Sequence, residues 1–182
     1  MSKRMKIIAL SSGLLLVIAL GVFGAYKSMQ GRIYDFVPSR DTAAILQNFN
    51  DDWYWLIAEG LAFDTKWMLE TRSPDNDPAY HGKLIIKVIL DQGKTAAFTT
   101  YYRKSPQTGR IQFISVNRRF RGKGYAKKMV DYAVKDLFKQ GCQEVILSTR
   151  VNNIWARRVY ENYGFVAYKD DGRFVEYVFK KP

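Results

Sequence analysis

The sequence predicts an α/β fold: a mixed, mostly antiparallel sheet flanked by helices, behind one N-terminal transmembrane helix. Three observations lead there. An uncharged run, Ile7 to Ala25, opens the chain. Behind it, alternating and helically periodic segments follow in the order strand, two helices, three strands, helix, strand, helix, two strands. Turns written DQGK, SPQTG and DDGR join neighbouring strands directly, as antiparallel pairing requires.

The chain has 182 residues, which suits one ordinary domain. With 47% apolar and 15% aromatic residues it has material for a packed core, unlike a disordered chain. Its net charge of +12 favours polyanionic partners: nucleic acid, anionic lipid or a phosphorylated cofactor. The first 32 residues hold five basic and no acidic side chains, so the remainder keeps a surplus of seven positive charges. Cys142 is the single cysteine and His81 the single histidine, so no disulfide within the chain and no thiolate metal site can form. No HExxH or CxxC pattern is present, and no metal is expected.

The nineteen residues from Ile7 to Ala25 would form about 29 Å of helix, close to the ~30 Å hydrocarbon core of a bilayer. The run exceeds the roughly 7–15 residues of a signal-peptide core, and "GVFGAYKSM" makes a poor cleavage site. Residues 1–31 are therefore read as a basic flank and an uncleaved single-span anchor, and 32–182 as the folded domain. Lys3, Arg4 and Lys6 on one side and Lys27 and Arg32 on the other lean weakly towards a cytosolic N-terminus.

Each element has a local reason. "GRIYDFV" is a short strand ended by Pro38, and Asp41 stands where it could cap a helix through "TAAILQNF". "DWYWLIAEGLAFDTKWMLE" is a second helical region, and "TRSPDNDPAYHG" is a loop by its prolines, Asn and Gly. "KLIIKVILD", "TAAFTTYYRK" and "RIQFISVN" are strands. From Ala126 the apolar positions 126, 129, 130, 133, 134 and 137 form one helical stripe, with Lys127, Lys128, Asp131, Lys135, Asp136 and Lys139 opposite. Gly141 ends that helix. "EVILST" is a buried strand, "NNIWARRVYENYG" an amphipathic helix ended by Gly164, and "FVAYKD" with "FVEYVFKK" a closing hairpin.

The chemistry concentrates in "RRFRGKGYAKKMV", Arg118 to Val130, where a strand passes through glycines into a helix. Neither a P-loop nor a dinucleotide fingerprint is satisfied: Met129 follows Lys127–Lys128, and Lys127 occupies the third small position. The arrangement is still an anion site. Unpaired N–H groups face outward at a helix start, glycine allows close approach, and Arg121 and Lys123 carry charge. A surface turn with solvated cations is the bland alternative.

This segment resembles the GNAT superfamily of N-acetyltransferases. The signature Gln/Arg-x-x-Gly-x-Gly/Ala is met by Arg121, Gly122, Lys123, Gly124, Tyr125 and Ala126. A second signature, Asn-x-x-Ala-x-x-x-Tyr-x-x-x-Gly-Phe, is met by Asn153, Ala156, Tyr160, Gly164 and Phe165. Positions 153, 156 and 160 share one helical face, so Asn153 and Tyr160 can look into one cleft. The resemblance covers residues 32 to 182 and implies acetyl-CoA as co-substrate, its pyrophosphate on the amides from Arg121 to Ala126. It implies direct attack of an amine on the thioester, with Tyr160 as general acid. Asn153 would bond the pantetheine arm or nearby backbone. Ile114 to Val116 would face the pantetheine, and the Val116 N–H the acetyl carbonyl. Cys142 would be a half-buried filler.

The general base stays open. The central strand carries Gln112 and Ser115 where many family members use glutamate, and Glu59, Asp64, Glu70 and His81 have suitable chemistry but no assigned place. The acceptor amine, a small molecule or a protein, is likewise open; residues 53 to 69 and 71 to 82 are where family members vary. A cytosolic N-terminus would place the domain outside the cytosol. Acetyl-CoA is cytosolic, however, so an active enzyme implies a cytosolic domain on a single-pass membrane protein, against the weak charge bias. Two alternatives remain: an acyl-CoA-binding sensor without turnover, and a basic module for membrane surfaces or nucleic acid. The latter is weakened by the absence of a helix-turn-helix or RNA-stacking signature.

Overall fold

A computed structural model describes residues 31–74 and 82–182. The expected span, residues 7–25, lies outside them, as do His81 and most of the loop 71–82. Among the described residues no helix is long and apolar enough to cross a membrane.

The elements follow the expected order: β1 (Ile33–Asp35), α1 (Pro38–Leu56), α2 (Thr65–Thr71), β2 (Ile85–Asp91), β3 (Lys94–Arg103), β4 (Thr108–Val116), α3 (Tyr125–Lys139), β5 (Glu144–Arg150), α4 (Ile154–Tyr163), β6 (Val166–Asp170) and β7 (Phe174–Lys180). A 3₁₀ turn, Arg118–Phe120, links β4 to α3. The seven strands form one sheet in the order β1-β2-β3-β4-β5-β7-β6. Every pair is antiparallel except β4 with β5.

The stripe read from Ala126 onward is the buried face of α3: Met129, Val130, Ala133, Val134 and Leu137 all lie inside. Val130, Ala133, Val134 and Leu137 pack on Ile111, Val145, Leu147 and Tyr177 of the sheet, together with Tyr160 and Phe165 from α4 and its exit. Met129 packs with Ile89, Ala96, Ala97 and Phe120. Burying each larger aliphatic contributes about 1.5–3 kcal/mol, so this contact, more than helix propensity, holds α3. The opposite face is covered by α1 and α2, whose Ile45, Phe49, Met68 and Leu69 meet Ile86, Val88, Phe98 and Phe113. Two cores thus sandwich the central strands.

Local expectations are corrected at four points. Asp41 is not the N-cap of α1. The helix starts at Pro38 behind Val37, and the Asp41 carboxylate reaches back to accept the Val37 N–H at 2.7 Å. Proline suits that first position because its missing N–H would be unpaired there anyway. Second, α1 runs on to Leu56 and absorbs the start of the predicted second helix, kinking at Asp52 (φ −124°, ψ 23°). What remains is the short α2, capped by Asp64, which accepts the Trp67 N–H at 2.9 Å. Third, β4 begins at Thr108 because the Ser105 hydroxyl closes the preceding turn, accepting the Thr108 N–H at 2.9 Å. Fourth, Cys142 is fully buried.

Candidate active site

The parallel pair β4–β5 is bonded only over Thr108–Arg110 against Glu144–Ile146. Beyond Arg110 the strands part, and their diverging ends open a cleft of about 910 Å³. Its walls come from the end of α1, the second half of β4, the glycine loop, the end of β5 and the first turns of α4. A sheet that splays leaves ladder groups unpaired, and β4 shows which ones. Asn117 donates its N–H to Ala96 of β3 at 2.9 Å. Backbone groups alternate sides along a strand, so those of Val116 and Ile114 point the other way, towards the vanished β5 partner. The carbonyl of Val116 is taken by Arg121 Nε at 3.1 Å. Its N–H is left facing the cleft. The two residues expected to present backbone there, Ile114 and Val116, both line the wall.

The glycine loop turns open backbone towards the cleft. Asn117 caps the 3₁₀ turn by accepting the Arg119 N–H at 3.1 Å, and buried Phe120 plugs the loop onto the core. Gly122 (φ +80°) and Gly124 (φ +77°) adopt left-handed backbone, and a Cβ at either would meet nothing within 4 Å. Glycine is used here for the conformation and for open approach from the cleft side. Gly124 is the N-cap of α3, so the amides of the first turn, from Gly124 through Lys127, have no partner from within the helix. Arg121, Gly122, Gly124, Tyr125 and Ala126 all line the cleft. The positive end of α3 points at it.

The two loop cations act differently from the sequence expectation. Arg121 Nη2 pairs with the buried carboxylate of Asp52, and Lys123 Nζ pairs with buried Asp91 at 2.6 Å. Tyr125 also turns its hydroxyl onto Asp91, at 2.8 Å. Burial pushes the Asp91 carboxyl up, but the bonds from Lys123 and Tyr125 and the lysine's charge outweigh that and hold it below its ordinary value. The Tyr125 phenol is pushed up to about 12, by burial first and the Asp91 bond second. Arg119 and Lys127 are exposed cations beside the loop with no ion-pair partner among the described residues. They are the charges left free to meet an anion.

On the other wall, Asn153 is the N-cap of α4, its Oδ1 accepting the Ala156 N–H at 3.2 Å. Asn153, Ala156 and Tyr160 share the face turned to the cleft, as their spacing requires. Tyr160 is 8% exposed, its ring against Tyr177 and Phe165. Among the described residues its hydroxyl has no hydrogen-bond partner. By contrast, Tyr101, Tyr125, Tyr163, Tyr168 and Tyr177 each donate to a carboxylate. Burial, then the neighbouring Tyr177, push the Tyr160 phenol above its ordinary value.

Glu59, Asp64 and Glu70 are not in the cleft walls. Glu59 lies 3.9 Å from Arg173, Asp64 caps α2, and Glu70 faces Lys66 at 3.9 Å. The one carboxylate lining the cleft among the described residues is Asp52, which sequence reasoning missed. Gln112 donates to the Pro74 carbonyl, and its own Oε1 is buried without a partner among the described residues. Cys142 lies in the α3 core outside the cleft, its thiol pushed up by burial. Among the described residues no group of three or more His, Cys, Asp or Glu could hold a metal ion.

The sequence model of the acetyltransferase (GNAT) family matches residues 43–165. N-alpha-acetyltransferase 30 of Saccharomyces cerevisiae is 38% identical over 61 residues, covering 34% of this chain and 35% of the relative. The Schizosaccharomyces pombe protein of the same name is 32% identical over 95 residues, covering 52% of this chain and 55% of the relative. The matches thus span about a third to a half of these relatives' length. A Salmonella typhimurium protein solved with its cofactor acetyl-CoA superposes with a TM-score of 0.64, covering 82% of this chain and 92% of that one. At 15% identity this likeness is one of fold alone.

Proposed function

The chain belongs to the acetyltransferase (GNAT) family, and from that premise we propose that it transfers an acetyl group from acetyl-CoA to an amine by direct attack on the thioester. The observation that carries this reading is Tyr160: a buried phenol on the cleft wall, with no partner among the described residues, opposite the freed Val116 N–H.

The residues fit the co-substrate. The amides from Arg121 to Ala126, the open faces of Gly122 and Gly124 and the start of α3 would hold the pyrophosphate. The splayed edge of β4 offers Ile114 and Val116 backbone to the pantetheine. The Val116 N–H would polarise the acetyl carbonyl and steady the oxyanion as the amine attacks. A C–N bond forms and the C–S bond breaks. Tyr160 gives its proton to the departing thiolate, and the attacking nitrogen loses one to water. A phenol is protonated at neutral pH, and burial raises the Tyr160 group further, so the proton is in place to be given. Both Asp52 oxygens are engaged by guanidinium donors, so proton removal from the amine is assigned to water.

For the acceptor we favour the α-amine at a protein N-terminus. Support comes from the names of the curated relatives and from the cleft wall, where Trp55, Leu56 and Trp155 offer apolar surface to a first side chain. We also read Ile7–Ala25 as a single membrane span with the domain in the cytosol, where acetyl-CoA is available. Its length and lack of charge support this reading. Resistance of the protein to alkaline extraction from membranes would support it, and release into the soluble fraction would overturn it.

The activity is tested on the full chain by calorimetric titration with acetyl-CoA, followed by transfer to short peptides with free or blocked N-termini. Micromolar binding with transfer to free N-termini alone is expected. Binding without turnover on any amine would make the protein a sensor. No binding by the folded protein would overturn the assignment.

A further inference from the structure

Asp52 interrupts a helix, and its surroundings explain why. It is 5% exposed, with non-helical backbone between regular turns of α1. A buried carboxylate is costly unless every oxygen is used, and here both are. Oδ1 accepts from Arg118 Nη2 at 3.3 Å and Oδ2 from Arg121 Nη2. The same Arg118 Nη2 reaches the Asp51 carbonyl at 2.6 Å, so the kink itself is gripped from the glycine loop.

Arg121 has a second bond, and it decides the role. Its Nε donates to the carbonyl of Val116 at 3.1 Å. That carbonyl lies on the side of β4 that β5 has left, where no strand donates to it, while the Asn117 N–H at the other end of the same peptide is held by Ala96. A planar guanidinium holds its donors in a rigid fork, so anchoring one edge on Asp52 fixes where the other edge meets Val116. The N–H of Val116 shares the orientation of its carbonyl, because both alternate together along the strand. The chain Asp52–Arg121–Val116 therefore adds a second hold on this residue, from the side β5 has left, next to the N–H that would polarise the acetyl carbonyl.

We propose that Asp52 is a positioning residue for the transfer step: through Arg121 it fixes the Val116 peptide, and by its kink it turns Trp55 and Leu56 to the acceptor end of the same cleft. This rests on the proposed acetyl transfer for its kinetic consequence but not for its structural one. Acetyl-CoA affinity comes chiefly from loop amides, and the loop around Gly124 is pinned separately by Lys123 and Tyr125 on Asp91, so Asp52 acts on the rate more than on cofactor binding.

The test compares Asp52→Asn, Arg121→Gln and the double variant in the full chain. Three quantities are read: acetyl-CoA affinity by calorimetry, steady-state kinetics, and the Arg121 Nε–H and Val116 carbonyl signals by NMR without ligand. Expected for Asp52→Asn are a fall in kcat of at least about tenfold, acetyl-CoA affinity within about threefold of the parent, and solvent exchange of the Arg121 Nε–H faster by about tenfold or more. In the Arg121→Gln background, Asp52→Asn should change kcat no further. Equal kinetic losses in both backgrounds, affinity falling in step with kcat, or an unmoved Arg121 Nε–H signal would each overturn the proposal. If the parent protein acetylates no amine, the activity reading fails, and the NMR comparison alone still decides whether Asp52 holds Val116.

Discussion

Lys123 Nζ donates to Asp91 Oδ2 at 2.6 Å, tying the glycine loop to the end of β2 thirty-two residues earlier. The carboxylate is 1% exposed and also receives the Tyr125 hydroxyl, so it pins both sides of Gly124. Lys123 thereby shapes the loop through this ion pair.

Asp91→Asn should loosen the loop, lowering stability by about 1–3 kcal/mol and acetyl-CoA affinity with it. The pH dependence has a definite sign. The folded carboxyl titrates below its ordinary 3.8. Its contribution is therefore complete above about pH 5 and is lost as pH falls through 3.8 towards the folded value. Acetyl-CoA titrations from pH 5 upward should show no step from Asp91, while acid unfolding of the Asn variant should lack this group's share. A parent-like affinity and acid transition in Asp91→Asn would contradict the pinning.

The sequence showed what is local and hid what is remote. Helices α3 and α4 could be read because stripe, N-cap and terminal glycine lie within each segment, and Asn153, Ala156 and Tyr160 fell on one face by arithmetic alone. Arg121 and Lys123 were read as phosphate charges because their partners, Asp52 and Asp91, are 69 and 32 residues away. Asp91 looked like an ordinary turn residue in DQGK. Asp52 sat in "NDDWYW", where propensity gives no warning of a kink. The parting of β4 from β5 has no signature in either strand, since register is a property of pairs. Nothing local marked Arg150 either, although it fastens the acceptor wall.

Gly124→Val tests the cradle directly. At φ +77° a β-branched residue is strained, which costs on the order of 1–2 kcal/mol. A Cβ there meets no protein atom within 4 Å, so the fold should persist. What it occupies is the space a pyrophosphate would need. Melting should show a modest loss of stability, and calorimetry should show acetyl-CoA binding abolished. Retained binding would place the anion elsewhere.

Arg150, 6% exposed at the end of β5, donates to the Tyr54 carbonyl at 2.5 Å and the Ile57 carbonyl at 3.0 Å. It stacks 4.0 Å from the Tyr54 ring centroid. These carbonyls end α1, where a cation and two donors satisfy groups the helix cannot. Between them lie Trp55 and Leu56, both on the cleft wall. Arg150→Lys cannot span both carbonyls, so it should lose about 1–3 kcal/mol of stability. Acceptor KM should rise several-fold while acetyl-CoA affinity stays near the parent's. An unchanged acceptor KM would detach this latch from the acceptor wall.

Tyr160→Phe removes one oxygen that has no partner among the described residues, so stability should change by less than about 0.5 kcal/mol. Acetyl-CoA affinity should also hold, because the ring and its contacts with Phe165 and Tyr177 remain. The rate should not hold: losing a positioned acid typically costs about 10²–10⁴-fold. Its alkaline limit is equally telling. The phenol must be protonated to act, and burial raises its pKa, so the limb set by Tyr160 moves above its ordinary value near pH 10. An α-amine acceptor must instead be neutral, with a pKa of about 7.7–8.0. The profile of kcat/KM should therefore rise through pH 8 and stay level to about pH 10. A parent-like rate in Tyr160→Phe, or a decline well below pH 10, would assign the proton to another donor.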